Sequence, residues 1–275
     1  MHYSKLTEDL AKITCALELS RQIVGIKFIF TREDFAAAKA KELTGKIAYC
    51  VMVASAAKGH AIKATAENFG CFGGARALGI VELDENYTSA RLFDSLGLYQ
   101  DLTTAKNVIN NLTCCKHKAY GVMIKPLSEF KQERPDVVII IANAYNAMRI
   151  IQGYTYTYGT NTAFKLTGNQ AICSECTAYP FESNNINISV LCAGTRFKAR
   201  WKDDELALGL PFNKFSGLVD GTYATINATD PNEKKSIVEA KLKEQNRTDL
   251  QIEYDRNYFT GLYEKDAVHF PDELK

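Results

Sequence analysis

A short segment of this chain occurs twice, and that recurrence restricts the fold more than any other sequence feature. The segment Thr44–Cys50 aligns with Thr167–Cys173, and four of the seven positions are identical. A second cysteine follows in each half, since Cys71 comes 21 residues after Cys50 and Cys192 comes 19 residues after Cys173. The ordered recurrence predicts two fused copies of one unit packed about an approximate two-fold axis.

Strand-like and helix-like patterns alternate along the chain, which favours an α/β or α+β fold. Apolar, β-rich runs predict strands at Ile23–Phe30, Gly121–Pro126 and Val137–Ala142. Helical spacing or composition predicts helices at Leu6–Leu19, Thr103–Leu112, Ala144–Gly153 and Glu233–Gln245, and also at Ala75–Ile80 and Glu205–Leu210 behind the second cysteines. Thr31 is a predicted helix N-cap.

The repeat also predicts how the chain divides. We assign residues 1–120 to a first repeat unit with an N-terminal helix and residues 121–222 to a second repeat unit. Residues 223–275 form a charged helix and a Tyr-rich C-terminal extension.

Length and composition narrow the class of protein. A chain of 275 residues with 46% apolar and 24% charged residues is globular and buries a large core. The net charge of +1 argues against nucleic acid as a partner. The longest apolar runs are far shorter than the roughly 20 residues of a membrane-spanning helix. Because we find no export signal, we expect a cytoplasmic protein without a membrane partner.

The cysteines are the residues most suggestive of chemistry. The chain has eight of them, and the cytosol rarely permits structural disulfides. If the two halves meet at a two-fold axis, Cys50, Cys71, Cys173 and Cys192 come together as metal ligands. Four thiolates suit either an iron–sulfur cluster or tetrahedral zinc. Cys176 forms a C-x-x-C motif with Cys173 and is a possible additional thiol for a metal or a redox disulfide.

Glycines and cations near these cysteines predict a ligand-binding loop. Gly73 and Gly74 precede Arg76, and such a loop lets the backbone approach an anion closely. Arg196 occupies the matching place after Cys192, and His60 lies close by in sequence. An ordinary tight turn into a helix explains the glycines equally well, and a lone histidine is more often structural.

The remaining candidates have structural interpretations. We interpret Cys15 as a buried core residue, and also Cys114 and Cys115, although Lys116 and His117 make their surroundings electropositive. The segment Asp203–Glu205 fits a helix N-terminus, where negative charge is favourable. The alternating tyrosines Tyr154, Tyr156 and Tyr158 are typical of a strand that faces a pocket or the core.

The motifs together resemble the domain-of-unknown-function family 169, an uncharacterised group also called ArCR. The resemblance covers about Leu6 to Val219, and the matching segments are Ala48–Cys50, Gly70–Gly74 with Leu78–Gly79, Cys173–Glu175, Cys192–Arg196 and Asp203–Pro211. It supports treating Cys50, Cys71, Cys173 and Cys192 as one set, whereas the chain after Pro211 becomes unlike the family. The resemblance implies no reaction, because none is established for the family.

The sequence therefore predicts a cysteine-ligated metal protein with a 4Fe–4S cluster between two repeat halves. Its role is electron transfer or reductive chemistry on a small ligand, with zinc as the alternative metal. Two other classes stay open: a metal-free binding protein or accessory subunit with buried cysteines, and an enzyme that uses Cys173 or Cys176 as a nucleophile or redox pair. The expected partners are a small-molecule ligand or a redox partner protein, and the chain could form a homo-oligomer. Whether it catalyses a reaction is left open.

Overall fold

A seven-stranded sheet organises the larger part of the chain. The computed structural model describes residues 3–82, 85–161 and 163–255, with only the backbone of Tyr3 and Asn86. The strands are Val24–Ile29 (β1), Lys41–Glu42 (β2), Ile62–Thr65 (β3), Gly121–Pro126 (β4), Val137–Ala142 (β5), Asn187–Ser189 (β6) and Leu206–Pro211 (β7). Their order is β2-β3-β4-β1-β5-β7-β6, and the pairings are antiparallel except for β2 with β3. The mixed architecture confirms the predicted α/β class.

Helices connect and cover these strands. In chain order they are Tyr3–Ala16 (α1), Arg32–Ala37 (α2), Tyr49–Ala56 (α3), Phe72–Ala77 (α4), Glu85–Thr88 (α5), Arg91–Ser95 (α6), Leu102–Asn111 (α7), Ala144–Tyr158 (α8), Tyr179–Ser183 (α9), Ala193–Ala199 (α10), Phe215–Ala224 (α11), Ile226–Thr229 (α12) and Asn232–Glu244 (α13). The segment Ala171–Ala178 is a π-helix. Short 3₁₀ turns occur at Ala66–Asn68, Leu127–Glu129 and Phe212–Lys214.

Several predicted elements are confirmed. The three predicted strands appear as β1, β4 and β5, and every residue of β5 is buried, as its unbroken apolar run indicates. Thr31 caps α2, because its hydroxyl accepts a hydrogen bond from the Asp34 backbone N–H at 3.0 Å. The charged C-terminal helix appears as α13. The Tyr-rich tail lies largely after residue 255, outside the described residues.

Three predictions of local structure are wrong. The predicted helix at Glu205–Leu210 is strand β7, which pairs with β5 along its whole length. The predicted helix start at Asp203–Glu205 is a turn, in which Glu205 forms an ion pair with Arg21. The tyrosines Tyr154, Tyr156 and Tyr158 lie on helix α8 and not on a strand. In the first two cases partners distant in sequence outweigh a weak local preference.

The chain divides into two units, and the larger one contains the whole sheet. It comprises residues 19–147 and 161–215. Val24, Ile26 and Phe28 alternate along β1 and therefore point to one face of the sheet. Their side chains join a buried cluster with residues of α3, α4 and the π-helix. Cys173 and Cys176 belong to this cluster, and Cys50 and Cys192 pack against it.

The smaller unit is helical and comprises residues 1–18, 148–160 and 216–275. A Cβ added at Gly153 would lie 2.1 Å from the Thr222 hydroxyl oxygen, so α8 and α11 approach closely at this glycine. Arg149 and Asp230 form a buried ion pair with an N–O distance of 2.6 Å. In the described part of both units, no helix is long and apolar enough to cross a membrane.

Candidate functional site

Two of the four predicted ligand cysteines lie within helices of the larger unit. Cys50 is the second residue of α3, and Cys173 is the third residue of the π-helix. Both helices pack on the buried face of the sheet, so both thiols are held by backbone that belongs to the core. The π-helix contacts α3, α4 and α9 as well as the strands β5, β6 and β7, which places Cys173 centrally.

The other two ligand cysteines occupy equivalent positions at the starts of helices. Cys71 is the N-cap residue of α4, and Cys192 is the N-cap residue of α10. Each has an extended backbone conformation, and neither makes a side-chain capping hydrogen bond. Their sulfur atoms are therefore not committed to the helix N-terminus.

The four thiols lie together in one part of the larger unit. Burial raises the pKa of Cys50 above its usual 9.0, and the neighbouring Cys71 and Cys192 raise that pKa further. Burial likewise raises the pKa of Cys173 strongly, and Cys71, Cys192 and Cys50 all add to this increase. Because the repulsion between like charges weakens with distance, these effects indicate that Cys71 and Cys192 lie near Cys50 and that all three lie near Cys173.

Cys176 is separate from this group, although it is only three residues from Cys173. Burial and the adjacent Glu175 raise the pKa of Cys176, whereas none of the four grouped cysteines contributes to this increase. The backbone here is a π-helix, so its turns are wider than those of the α-helix in which a C-x-x-C pair shares one face. All eight cysteines are free thiols in the structure.

A hydroxyl group from α10 supports Cys50. Thr195 is hydrogen-bonded to Cys50, and this bond lowers the pKa of the thiol against the effect of burial. The Trp201 indole N–H donates to the same hydroxyl oxygen at 3.3 Å. The hydroxyl is thereby fixed between the indole and the cysteine of α3. Thr195 follows Cys192 by three residues. The start of α10 therefore contributes the grouped Cys192 and also the hydrogen-bond partner of Cys50.

A buried polar layer adjoins Cys71 and Cys173. The Arg76 guanidinium lies 4.6 Å from the centre of the Tyr87 ring, and burial together with Cys173 raises the Tyr87 pKa. The Gln170 amide donates to the Tyr87 hydroxyl. Among the described residues, Arg76 Nε and Nη1 and Gln170 Oε1 have no hydrogen-bond partner. Buried polar atoms of this kind are rare and indicate a functional contact or a ligand.

The glycines of the predicted ligand-binding loop have a packing role in the structure. A Cβ at Gly73 would lie 2.5 Å from the Tyr87 hydroxyl oxygen, and a Cβ at Gly74 would lie 3.2 Å from the Tyr49 Cβ. Both glycines are buried within α4. They allow two tyrosines to pack closely on this helix beside Cys71.

The two remaining predicted ligand residues differ from Arg76. The Arg196 guanidinium donates to the backbone carbonyls of Val190, Lys202 and Glu205 at 2.5 to 2.9 Å. It fastens the turn between α10 and β7 and has little capacity left for a ligand. His60 is exposed in the segment between α3 and β3. Of the predicted cations, Arg76 is therefore the one buried near the grouped cysteines.

Two residues beside the cysteines have a strained backbone. Gln170, which precedes the π-helix, has φ of 50°, and Leu191, which precedes Cys192, has φ of 65°. Positive φ is unfavourable for residues other than glycine, and such residues concentrate at functional sites. Sequence patterns do not reveal this strain, and they also miss Tyr87, Gln170 and Thr195. The one available signal is that Thr195 and Gln170 each lie three residues from a grouped cysteine.

The comparisons with known proteins identify the family of the chain. The fold defines an α/β protein with eight free cysteines. The chain belongs to the uncharacterised ArCR family, domain of unknown function 169, which it matches over residues 12–221. It is also similar to an uncharacterised protein of Methanocaldococcus jannaschii, with 23% identity over 222 residues that cover 80% of this chain and 94% of the relative. No solved structure matches the chain.

Proposed function

We propose that this chain is a cysteine-ligated metal protein in which Cys50, Cys71, Cys173 and Cys192 hold a 4Fe–4S cluster between two related halves. The observation that carries the proposal is the convergence of four free thiols from four separate segments of the larger unit. Such a cluster supplies one-electron reduction, in electron transfer to a partner protein or in reductive chemistry on a small ligand.

The strand register supports two related halves. Adding 113 to the residue numbers of β1 gives β5, adding 85 to those of β4 gives β7, and adding 125 to residues 62–64 of β3 gives β6. With these offsets the pair Ile26 and Ile124 becomes the pair Ile139 and Gly209, as observed. Two equivalent hydrogen bonds follow the same offsets: Leu127 N–H to Ile23 O and Phe212 N–H to Asp136 O.

The central strand pair supports a position for the proposed two-fold axis. Without β2, the strand order reads the same from both edges, because β3, β4 and β1 mirror β6, β7 and β5. In the pairing of β1 with β5, Gly25 lies opposite Val138. The offset of 113 relates these same two residues to each other. We place the axis at this pair and the halves at residues 23–129 and 136–214. The domain boundaries at 120 and 222 stay predictions.

This arrangement makes the grouped cysteines two equivalent pairs. Cys50 and Cys173 each lie in the helix between the first and second strands of a half. Cys71 and Cys192 each cap the helix that leads towards the third strand. The sequence Ala-Leu-Gly also occurs once in each half, at Ala77–Gly79 and Ala207–Gly209. These two segments are not equivalent, since the first begins at the last residue of α4 and the second lies in β7.

The spacing of the sulfur atoms favours a cluster over a single zinc ion. Tetrahedral zinc with bonds of about 2.3 Å to sulfur requires its sulfur atoms to lie about 3.8 Å apart. No three of the four sulfur atoms, all of them in described residues, lie within 4.8 Å of one another. A cluster with several metal ions spreads its ligands more widely, so the wider spacing suits it better.

Charge also supports a thiolate-bound cluster. Four thiolates together with the four sulfide ions of such a cluster carry more negative charge than its iron ions neutralise, and a nearby buried cation offsets the excess. Arg76 is only 6% exposed and forms no ion pair with a carboxylate among the described residues. We assign it the role of a positioning residue that stabilises the negative cluster and raises its reduction potential.

The thiol-enzyme alternative finds less support. Nucleophilic cysteines have a lowered pKa because a cation or a helix N-terminus stabilises the thiolate. Burial instead raises the pKa of both Cys173 and Cys176, the two thiols considered for that role. Eight free thiols also fit the reducing cytoplasm, in which we expect the protein to work.

The test is an anaerobic purification followed by absorption spectroscopy and analysis of iron, zinc and acid-labile sulfide. We expect a brown protein with about four iron and four sulfide ions per chain. Cys192→Ser should lose most of both. Cys15→Ser is the matched control, because Cys15 is buried in α1 of the smaller unit and should leave the iron content unchanged. A colourless wild-type protein, or one with zinc in place of iron, would contradict the cluster.

A further inference from the structure

A second group of metal-binding side chains lies apart from the four grouped cysteines. The ligand atoms of Cys115, His117 and Glu182 all lie within 4.8 Å of one another. Cys115 and His117 belong to the segment between α7 and β4, and Glu182 belongs to α9. The side chains that raise the pKa of Cys115, after burial itself, are Glu182, Cys114 and Asp136, and none of the four grouped cysteines is among them.

The backbone holds Cys115 and His117 firmly. The Cys115 N–H donates to the Ala77 carbonyl at 2.8 Å, and the Ala119 N–H donates to the Gly79 carbonyl at 2.9 Å. Gly79 has φ of 67°, and a Cβ there would lie 2.2 Å from the His117 carbonyl oxygen. The segment is thus fastened against the end of α4 at both ends. One residue separates the two ligands, and the bend at Lys116 and His117 brings the thiol and the imidazole close together.

The carboxylate and the imidazole can each take a further partner. Glu182 accepts a hydrogen bond from the Lys116 N–H at 2.9 Å through one oxygen, and its other oxygen lies 3.8 Å from the exposed Lys116 ammonium. The Leu78 backbone lies close to the His117 ring, but neither buried ring nitrogen makes a hydrogen bond of good geometry among the described residues. An imidazole held so weakly is costly to bury unless something binds it.

An aromatic shell surrounds the imidazole. The ring of His117 makes edge-to-face contacts with Phe28, Phe30 and Phe181 at centroid distances of 4.5, 5.1 and 5.0 Å. These three rings limit the orientation of the imidazole, although Phe30 is itself exposed. An apolar shell of this kind strengthens the binding of a cation to anionic ligands.

We propose that Cys115, His117 and Glu182 form a second metal site, which binds one Zn²⁺ ion through sulfur, nitrogen and oxygen. Zinc accepts this mixture of ligands, whereas calcium and magnesium require oxygen ligands throughout. Three protein ligands leave the fourth tetrahedral position for water or a small ligand, as in catalytic zinc sites.

The test is a titration of the full-length, anaerobically purified protein with Co²⁺, which replaces zinc and absorbs visibly when a thiolate binds it. We expect one Co²⁺ per chain with a thiolate charge-transfer band. Glu182→Gln should weaken binding at least about tenfold. The amide carbonyl introduced by this substitution can still accept from the Lys116 N–H, so the variant keeps the fold. His117→Gln should weaken binding similarly, and His60→Gln, at an exposed histidine, is the matched control.

The grouped cysteines require a separate control, because they also could bind Co²⁺. In Cys192→Ser the proposed second site should keep its full Co²⁺ affinity, even where iron is lost. A cobalt signal that disappears in Cys192→Ser and survives Glu182→Gln would belong to the grouped cysteines and would overturn the second site. A wild-type protein without any thiolate–cobalt band would overturn it as well. Iron content, measured in the same samples, reports on the cluster independently.

Discussion

At the scale of single residues, the protonation state of the grouped thiols would control how the proposed site takes up a metal. Burial and mutual repulsion raise the pKa of Cys50 and Cys173, so both are neutral near pH 7 without a metal. Metal ligands must be deprotonated, and binding therefore releases protons. The neutral thiols also explain how four potential charges can share one buried region in the apo protein.

The raised pKa values predict that the metal-free, reduced protein loses stability at alkaline pH. The thiol of Cys173 has a pKa of about 9 in the unfolded chain and a higher pKa in the folded protein. Its contribution to stability is therefore fully present below about pH 9. Above that pH the unfolded chain releases protons first, so the free energy of unfolding should fall as pH rises. Urea unfolding at about pH 8 and about pH 10 measures this.

The matched variant for the alkaline effect is Cys173→Ala, which removes the most strongly affected thiol of the group. Its loss of stability between the two pH values should be smaller than that of the wild type. An equal loss in both proteins would show that Cys173 does not contribute, and a flat wild-type profile would contradict the predicted effect altogether.

At the scale of elements, the π-helix depends on a glycine of the neighbouring strand. A Cβ added at Gly209 of β7 would lie 2.1 Å from the Cys176 carbonyl oxygen. Gly209→Ala should therefore displace the π-helix, destabilise the fold by roughly 1–3 kcal/mol and lower the iron content. Urea unfolding and iron analysis of the purified variant measure both effects.

Gly194→Ala is the control for the same substitution near the same site. Gly194 lies in α10, two residues after Cys192, and a Cβ there meets no atom within 4 Å. Alanine should be neutral or slightly stabilising at this helical position, by up to about 1 kcal/mol. Equal unfolding midpoints for Gly209→Ala and the wild type would show that the strand and the π-helix can separate without cost.

Local sequence patterns predict the elements whose character is set by their own residues. The run Val137–Ala142 is apolar at every position, so both its strand character and its burial can be predicted. Leu206–Pro211 contains residues that also favour helices, and only its pairing with β5 makes it a strand. The tyrosines of α8 show the same ambiguity, since Tyr154 and Tyr158 contact one another one helical turn apart, at 5.0 Å between ring centres.

The candidate site is predictable only in part, for a similar reason. The repeat identifies the cysteines, because a recurring motif is visible in sequence. Tyr87 comes from a segment without a recognisable motif, and Gln170 stands at a position of the recurring segment where the first copy has Ile47. Their hydrogen bond forms only in the folded chain. Burial of Arg76 and the full use of Arg196 by carbonyl groups also depend on the tertiary structure. Both arginines follow a grouped cysteine in the sequence, so sequence position alone does not distinguish their roles.

At the scale of the whole molecule, two related halves that share the proposed cluster would make the effects of cysteine variants non-additive. Cys50→Ser and Cys173→Ser should each lose most of the iron, because each removes one of four ligands. The double variant Cys50→Ser with Cys173→Ser should lose little more than either single variant, since one shared group fails as a unit. Iron and sulfide per chain measure this.

The result would differ if each half carried a centre of its own. Each single variant would then keep about half of the iron, and the double variant would lose all of it. Such additive losses would contradict a shared site. Variants of Cys71 and Cys192 should follow the same non-additive pattern.

The wide separation of the four cysteines along the chain affects how the protein is made in the cell. Cys50 and Cys192 are 142 positions apart, and β7, which pairs with β5, comes later still. A nascent chain therefore offers no complete ligand set until most of it has left the ribosome. A cluster bound there would be inserted after synthesis, into a chain whose two halves have already met. Cofactor delivery would then act as a quality check, because truncated or misfolded chains would never become loaded.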